Sequence, residues 1–283
     1  MSTNARIITD SVSPAGVRLT TMEVTFHRFV LPEFNTHRVF SRNAASSRAI
    51  PIRKIIASVR DNPAMPIFWG ANQPGMSARV ELTGEAKSLA IAEWQRARIN
   101  AIESAERLIA SDINLHKQLV NRLLEPFLFC TMLVTSSQWN NFFCQRLHAD
   151  AQPEIQALAK KMFAAYNESI PTPLTIGEWH LPLIQPDEQT LDIETLKKVS
   201  VARCARISYL THDNVRDIAK DLELFERLLN GGANGHWSPM EHVATPLVNP
   251  SEFSGNIRGW HQYRKDFLTE NAETLAVVNW FEV

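Results

Sequence analysis

Residues 17–26 alternate apolar and polar positions (Val-Arg-Leu-Thr-Thr-Met-Glu-Val-Thr-Phe) and are rich in β-branched side chains, the pattern of a strand. The period then lengthens. Across residues 82–112, Ile91, Trp94, Ala101, Ile102, Ala105, Leu108 and Ile109 recur at helical spacing with Glu and Arg opposite, which predicts a long amphipathic helix. A second helix is expected over residues 115–125, capped by Asn114 and ended by Pro126. Its Leu115, Leu119 and Leu123 share one side, while Gln118, Asn121, Arg122 and Glu125 share another at i, i+3, i+4 and i+7. Apolar pairs flank that polar stripe, so it is expected to face a ligand or an interface. Residues 135–148 repeat the arrangement, with Trp139, Phe142 and Phe143 as an aromatic face and Gln138, Asn141, Gln145 and His148 opposite. As a buried amide stripe the latter would need partners, which a flat heteroaromatic ring or a second subunit would supply. Pro153 opens a helix whose Ile155, Leu158, Ala159, Met162, Phe163 and Tyr166 predict plain core packing.

Two stretches break the periodic pattern. Residues 35–51 combine Arg38, Arg42 and Arg48 with Ser41, Asn43, Ser46 and Ser47, a mix suited either to gripping phosphates or to a solvated basic loop. Residues 61–75 hold Pro63, Pro66, Pro74, Gly70 and Gly75 and read as a long loop. Pro171, Pro173, Pro182 and Pro186 then mark residues 170–188 as the best boundary in the chain. Beyond it come a basic segment around Arg203 and Arg206, then a helix with Val215, Ile218, Leu222, Phe225, Leu228 and Leu229 that Gly231-Gly232 would stop.

Composition narrows the class. At 283 residues, 45% hydrophobic and 21% charged, the chain is that of a soluble globular protein with room for a large core. No apolar run is long enough to span a bilayer and no secretion signal opens it, so a cytoplasmic location is expected. A net charge of −1 argues against a dedicated nucleic-acid binder. Cys130, Cys144 and Cys204 are expected to be reduced, buried thiols.

Several catalytic constellations are missing: a Gly-rich phosphate loop, His-Glu-x-x-His, Cys-x-x-Cys and a Gly-x-Ser-x-Gly elbow. His236 and His242 have no third ligand at matching spacing, so no metal site is expected. What remains is Arg, Ser, Asn, Gln and His. That set binds an anionic nucleotide well and leaves the difficult chemistry to a cofactor.

Four blocks resemble the flavin-dependent thymidylate synthases: Thr36-His37-Arg38 with Ser46 and Arg48, Asn121-Arg122-Leu-Leu-Glu-Pro126, Trp139-Asn-Asn-Phe-Phe-Cys-Gln-Arg146 with Ala151-Gln-Pro-Glu-Ile155, and Gly235-His-Trp-Ser-Pro-Met-Glu-His242. In that family the last block precedes the first, so the resemblance is to a circularly permuted relative, an arrangement that packed elements tolerate when termini lie close. The resemblance implies an α/β (α+β) fold with an antiparallel sheet and long helices in permuted connectivity. It implies one domain over residues 1–283, with the signature and long helices in 1–170 and the permuted segment in 188–283. It further implies a homotetramer with shared sites, FAD, and conversion of dUMP to dTMP with methylenetetrahydrofolate and NADPH. By position, Arg146 and Ser46 would be catalytic. Arg48, Arg122, Ser46, Gln118 and Glu33 would bind the pyrimidine deoxynucleotide, and His37, Arg38, Asn43, Asn141, Ser238 and His242 the cofactor. Four positions depart from the family pattern, where Thr36 replaces Arg, Ala44 Glu, Glu33 Gln and Asp150 His. They leave open a dCMP-type substrate, hydroxymethyl transfer, or a non-catalytic nucleotide-binding homologue.

Overall fold

The alternating stretch near the N-terminus becomes β2, Arg18–His27, paired antiparallel with β1, Asn4–Val12, on one side and with β4, Phe129–Ser136, on the other. Two short strands complete a sheet of order β3-β4-β2-β1-β5: β3, Ser41–Ala44, antiparallel to β4, and β5, Thr172–Pro173, parallel to β1. The computed structural model describes residues 1–207, 216–230 and 235–270. Val215 and the Gly231-Gly232 stop lie outside the described residues. The architecture is the mixed α/β class expected, with a mainly antiparallel sheet.

The period of two gives the sheet two unlike faces. Met22, Val24 and Phe26, paired with Val134, Met132 and Cys130, form the apolar one. On it pack Phe34, Phe40, Trp139 and Phe142 together with helix α6, Pro153–Glu168, which contributes Ile155, Leu158, Ala159 and Met162. The other face carries the pairs Thr21–Thr135, Glu23–Leu133 and Thr25–Thr131. Helix α7, Ile193–Ile207, covers part of it by setting Cys204 and Ile207 on Leu133, and a cavity of about 1080 Å³ borders the rest. Residues 170–188 carry the chain from one face of the sheet to the other, so helix, sheet and helix form three layers.

The segment read as basic from its sequence is interior. Nearly all of α7 is buried, and Arg203 is held bidentate by Glu188 at 2.7 Å for each bond and by Asp221 at 3.0 Å. Asp221 comes from α8, Ile218–Asn230, and also meets Arg206 at 2.7 Å. The Arg203 hydrogen bonds hold the Glu188 carboxyl down at about 2. A second core lies beside the sheet, where α2, Ile52–Asp61, sets Ile55, Ile56 and Val59 against Ile102 and Ala105 of α3, Gly84–Leu108.

Three expectations are corrected. The helix expected over residues 115–125 is one turn of α-helix, Lys117–Val120, followed by a 3-10 segment, Asn121–Phe127, with Pro126 inside it. Proline lacks an N–H and crowds the preceding turn, so the chain tightens ahead of it. The N-cap is His116, which accepts from the Gln118 N–H at 3.3 Å, while Asn114 takes φ 49, the left-handed region that asparagine tolerates. Tighter winding changes which residues face in: Val120, Leu124 and Phe127 are buried, whereas Leu119 and Leu123 are exposed. Residues 135–148 also split. Thr135 and Ser136 end β4, and the helix there is only Asn140–Arg146. Its aromatic face is buried as expected, but Asn141, Gln145 and His148 are exposed in the single chain. Cys144 falls on that outer side and is exposed too, unlike the buried Cys130 and Cys204.

Candidate active site

The signature stretch begins where α1, Leu31–Asn35, ends. Its His37 is packed edge-on against Phe142, with ring centroids 5.0 Å apart, and its Nε2 accepts from Arg146 Nε at 2.9 Å. That bond requires an unprotonated Nε2. Burial, reinforced by the Arg146 and Arg42 guanidiniums, supplies it by pushing the imidazole down to about 4. Arg146 Nη2 donates to the Thr36 hydroxyl at 3.1 Å and to the Glu33 carbonyl at 3.2 Å. Two edges of the guanidinium are therefore fixed, and Nη1 has no hydrogen-bond partner among the described residues. Thr36, which stands where the family pattern has an arginine, here helps to hold one.

Strand β3 sorts the next residues by parity. Arg42 and Ala44 lie on the side of this cluster, whereas Ser41 and Asn43 turn to the C-terminal layer. Ser41 Oγ donates to Asn256 Oδ1 at 3.1 Å and accepts from Gln262 Nε2 at 3.1 Å; Asn43 Nδ2 donates to the Cys204 carbonyl at 3.4 Å. Asn43 is thereby buried as a strut between strand and α7. Arg42 is half-buried, meets Asn35 Oδ1 at 3.0 Å, and has no salt-bridged carboxylate among the described residues. Burial lowers its pKa, against the pull of the more distant Glu241.

At the far end of β3 the chain enters a loop, residues 45–51, anchored from one stripe of the 115–127 segment. Lys117 Nζ donates to the Ala49 carbonyl at 3.0 Å, Asn121 Nδ2 to the Ser47 and Ile50 carbonyls at 2.6 and 3.1 Å, and Ser47 Oγ to Glu125 Oε1 at 2.5 Å. The same carboxylate meets Arg28 at 3.0 Å and Arg122 at 2.8 Å. Asn121 and Glu125 of the expected polar stripe therefore face the signature loop, while Gln118 and Arg122 are exposed. Lys117 and Arg28 were not singled out by sequence reasoning, because nothing in their local pattern distinguishes them from surface cations. Replacing Asn121 by alanine is expected to cost about 2 kcal/mol of stability, since one buried and one half-buried carbonyl lose their donor. Urea denaturation of the purified variant checks this.

The remaining predicted residues scatter. Arg48, Arg38, Asn141 and Ser238 are exposed, and Ser46 is half-buried. His242 is 0% exposed and lies deep in the core. There it closes a buried chain: Ser11 Oγ to His180 Nδ1 at 2.8 Å, His180 Nε2 to Thr21 Oγ1 at 2.8 Å, Thr21 to Thr135 at 2.6 Å, and Thr135 to His242 Nδ1 at 2.7 Å. His242 Nε2 has no hydrogen-bond partner among the described residues. His180 was not anticipated; no spacing in the sequence relates it to His242. The structure thus brings Glu33, Thr36, His37 and Arg146 into one cluster. It sets Ser46, Arg48 and Arg122 near a second one at the other end of β3, about 13 Å away at 3.3 Å per residue.

The family model described as thymidylate synthase complementing protein matches residues 10–172, which run from β1 to β5 and include both clusters. Among solved structures, the UMP/dUMP methylase PolB from Streptomyces cacaoi, bound with 5-Br UMP, aligns at 17% identity and a TM-score of 0.48, over 59% of this chain and 90% of that one. Thymidylate synthase X from Helicobacter pylori, with FAD and dUMP, aligns at 18% identity and a TM-score of 0.34, over 52% of this chain and 67% of that one. A search of curated protein sequences returns no significant match. Residues 188–270, whose helix α7 covers part of one face of the sheet, lie outside the matched span.

Proposed function

The chain belongs to the thymidylate synthase complementing protein family and is a thymidylate synthase-like methyltransferase, and from that premise we propose that it methylates C5 of dUMP to give dTMP, with FAD, methylenetetrahydrofolate and NADPH. The observation that carries this reading is the fixed Arg146 guanidinium, two edges tied down by His37, Thr36 and Glu33 and one left for a ligand. A cation held this way stabilises negative charge on a pyrimidine ring as C5 becomes nucleophilic, at little reorganisation cost.

The donor set suits FAD. Arg38 and Arg42 lie beside the His37 cluster without carboxylate partners among the described residues, so a bound pyrophosphate would supply the missing counter-charge. FAD, when bound, carries the reducing equivalents that the chain's own side chains cannot. His37, held neutral, would orient Arg146 rather than exchange protons. Exposed Asn141 and Ser238 would add hydrogen bonds from the protein surface. Asn43 and His242 would act through the packing of β3 and the C-terminal layer.

At the other cluster, Ser46, Arg48 and Arg122 would hold the nucleotide, with phosphate taking over part of the contact that Arg122 makes with Glu125. Gln118, exposed on the same segment, would reach the sugar or base. Since β3 separates the two clusters, a second copy of the chain would complete each site, which favours the homotetramer. Turnover of purified protein with FAD, NADPH and methylenetetrahydrofolate, offered dUMP with products resolved by mass, tests the reading. Methylated dUMP is the expected product.

A second reading is favoured by Glu33. Its Oε2 is buried without a hydrogen-bond partner among the described residues, on the residue whose backbone carbonyl anchors Arg146. A carboxylate there accepts from an exocyclic amine, so a product from dCMP would keep the mechanism and change the substrate.

A further inference from the structure

At the edge of the Ser46, Arg48 and Arg122 cluster a single carboxylate oxygen serves three donors. Glu125 Oε1 accepts from Ser47 Oγ at 2.5 Å, from Arg122 Nη1 at 2.8 Å and from Arg28 Nη2 at 3.0 Å. The winding of the chain puts it there. In the 3-10 segment Asn121–Phe127 side chains three positions apart are eclipsed, so Glu125 stands in line with Arg122. Arg28 reaches the Ala45 carbonyl with its Nη1 at 3.3 Å, where β3 ends and the loop begins. Ser47 is 2% exposed, within a turn closed by the Ala49 N–H on the Ser46 carbonyl at 3.0 Å. Its hydroxyl is committed to Glu125, while its chain neighbours Ser46 and Arg48 are half-buried and exposed.

We infer that Glu125 is a positioning residue for the phosphate of the substrate: it aims Arg122 and, through Ser47, sets the turn that carries Ser46 and Arg48. This role rests on the function proposed above, in which those three side chains hold the nucleotide. Arg122 spends Nη1 on the carboxylate, and its Nε and Nη2 have no hydrogen-bond partner among the described residues. One edge of a planar fork is thereby left for a phosphate. The Arg122 side chain is 51% exposed and that of Glu125 23%. An ion pair so open to water adds little to stability, so its consequence is orientation. Two effects on affinity oppose each other. The carboxylate repels a phosphate on the far edge of the guanidinium, a repulsion that water and salt screen. Without the carboxylate, a long side chain is ordered only when the nucleotide binds, and affinity falls by that cost. With Arg28 and Arg122 on one carboxylate the three groups carry a net positive charge, so the ordering effect is the larger.

The test is equilibrium binding of dUMP by isothermal titration of the full chain, in wild type, Glu125→Gln, Arg122→Ala and the variant carrying both. Arg122→Ala is expected to weaken binding about tenfold, the scale of one charge-assisted phosphate contact, and Glu125→Gln at least fivefold. The two losses overlap: once Arg122 is gone, Glu125→Gln should cost no more than about a further threefold, whereas damage to the fold would multiply in full. Where product forms, KM for dUMP rises in Glu125→Gln while kcat stays within about twofold of wild type, the mark of lost ground-state binding. Ser47→Ala removes one hydroxyl and keeps both ion pairs, and is expected to weaken dUMP about threefold. It decides the matter should circular dichroism show Glu125→Gln unfolded, an unchanged Ser47→Ala then counting against the role. Binding by Glu125→Gln within twofold of wild type, or tighter than wild type, overturns the role, as does full multiplication of the losses in the double variant. An unchanged Arg122→Ala instead removes the nucleotide ligand assigned above. Failure to turn over dUMP with binding intact sinks the proposed reaction and leaves the positioning role standing.

Discussion

Arg146→Ala is expected to lower turnover by about 10²–10³-fold, the scale of removing one preorganised donor from a developing negative charge. The flavin absorbance of the purified variant is expected to match wild type, because the substitution leaves Arg38 and Arg42 in place. The geometry explains why so much rests on one side chain. His37 takes Nε at 2.9 Å, and Thr36 and Glu33 take Nη2 at 3.1 and 3.2 Å, so the remaining Nη1 is aimed without rotamer freedom. Arg146→Lys keeps the charge but not the planar fork, and should recover only a small part of the loss. His37→Ala would act through the same guanidinium: kcat falls and the binding of flavin does not. Turnover of Arg146→Ala within threefold of wild type would refute the role. Equal loss in kcat and in flavin content would make it a folding defect instead.

Lowering the pH from 6.5 to 5 is expected to remove about 4 kcal/mol of stability, most of it through His180 and His242. Burial pushes both imidazoles down to about 3, with His180 adding to the effect at His242 and Asp10 partly opposing it at His180. The sign follows from proton counting. Below the ordinary histidine value of 6.5 the unfolded chain takes up a proton at each site while the folded chain does not, until about pH 3. Stability is therefore fully present above 6.5 and falls as the pH drops through that window, by about 1.4 kcal/mol per pH unit per histidine. Over these 1.5 units, which start where the unfolded histidines are half protonated, the pair accounts for about 3 kcal/mol, and His37, pushed down to about 4, supplies most of the rest. Glu188, held near 2 by Arg203, adds a loss of the same sign only below its ordinary value of 4.5. Urea denaturation at pH 7, 6 and 5 measures the slope, and His242→Gln should roughly halve it. A free energy of unfolding that stays level from 7 to 5 would show that the two rings are solvated and not the closed chain described above.

Much of the fold was legible because burial patterns have a period. The strand at β2, the helix α6 and the aromatic side of residues 140–146 follow from spacing, since each presents one face to a core regardless of what the core is. The failures share a cause. Residues 115–127 carry a helical pattern, but Pro126 tightens the winding from 100° toward 120° per residue, and a few positions later the leucines are on the other side. The amide row at Asn141, Gln145 and His148 is polar and outward; its flanking aromatics indicated burial of the helix, not of that face.

The candidate site divides in the same way. That Arg38, Arg42, Arg48, Ser46 and their neighbours suit an anion is legible in the chemistry of the residues, and the resemblance of four blocks implies roles for them. Which of them face together is a matter of parity along β3, and parity has meaning only once the strand has a partner: pairing with β4 sends Arg42 toward Arg146 and Ser41 and Asn43 toward α7. Spacing by itself determined the strand at β2 and the helix α6, and the resemblance of four blocks implied the mixed α/β class. The tertiary structure alone decided that residues more than 100 positions apart, His37 with Arg146 and His180 with Thr21, would meet, and that α8 would close a cavity over the sheet. The physical reason is that propensity and periodicity act over one element's length, whereas contact between elements depends on how layers stack and on the buried polar groups that must find partners when they do.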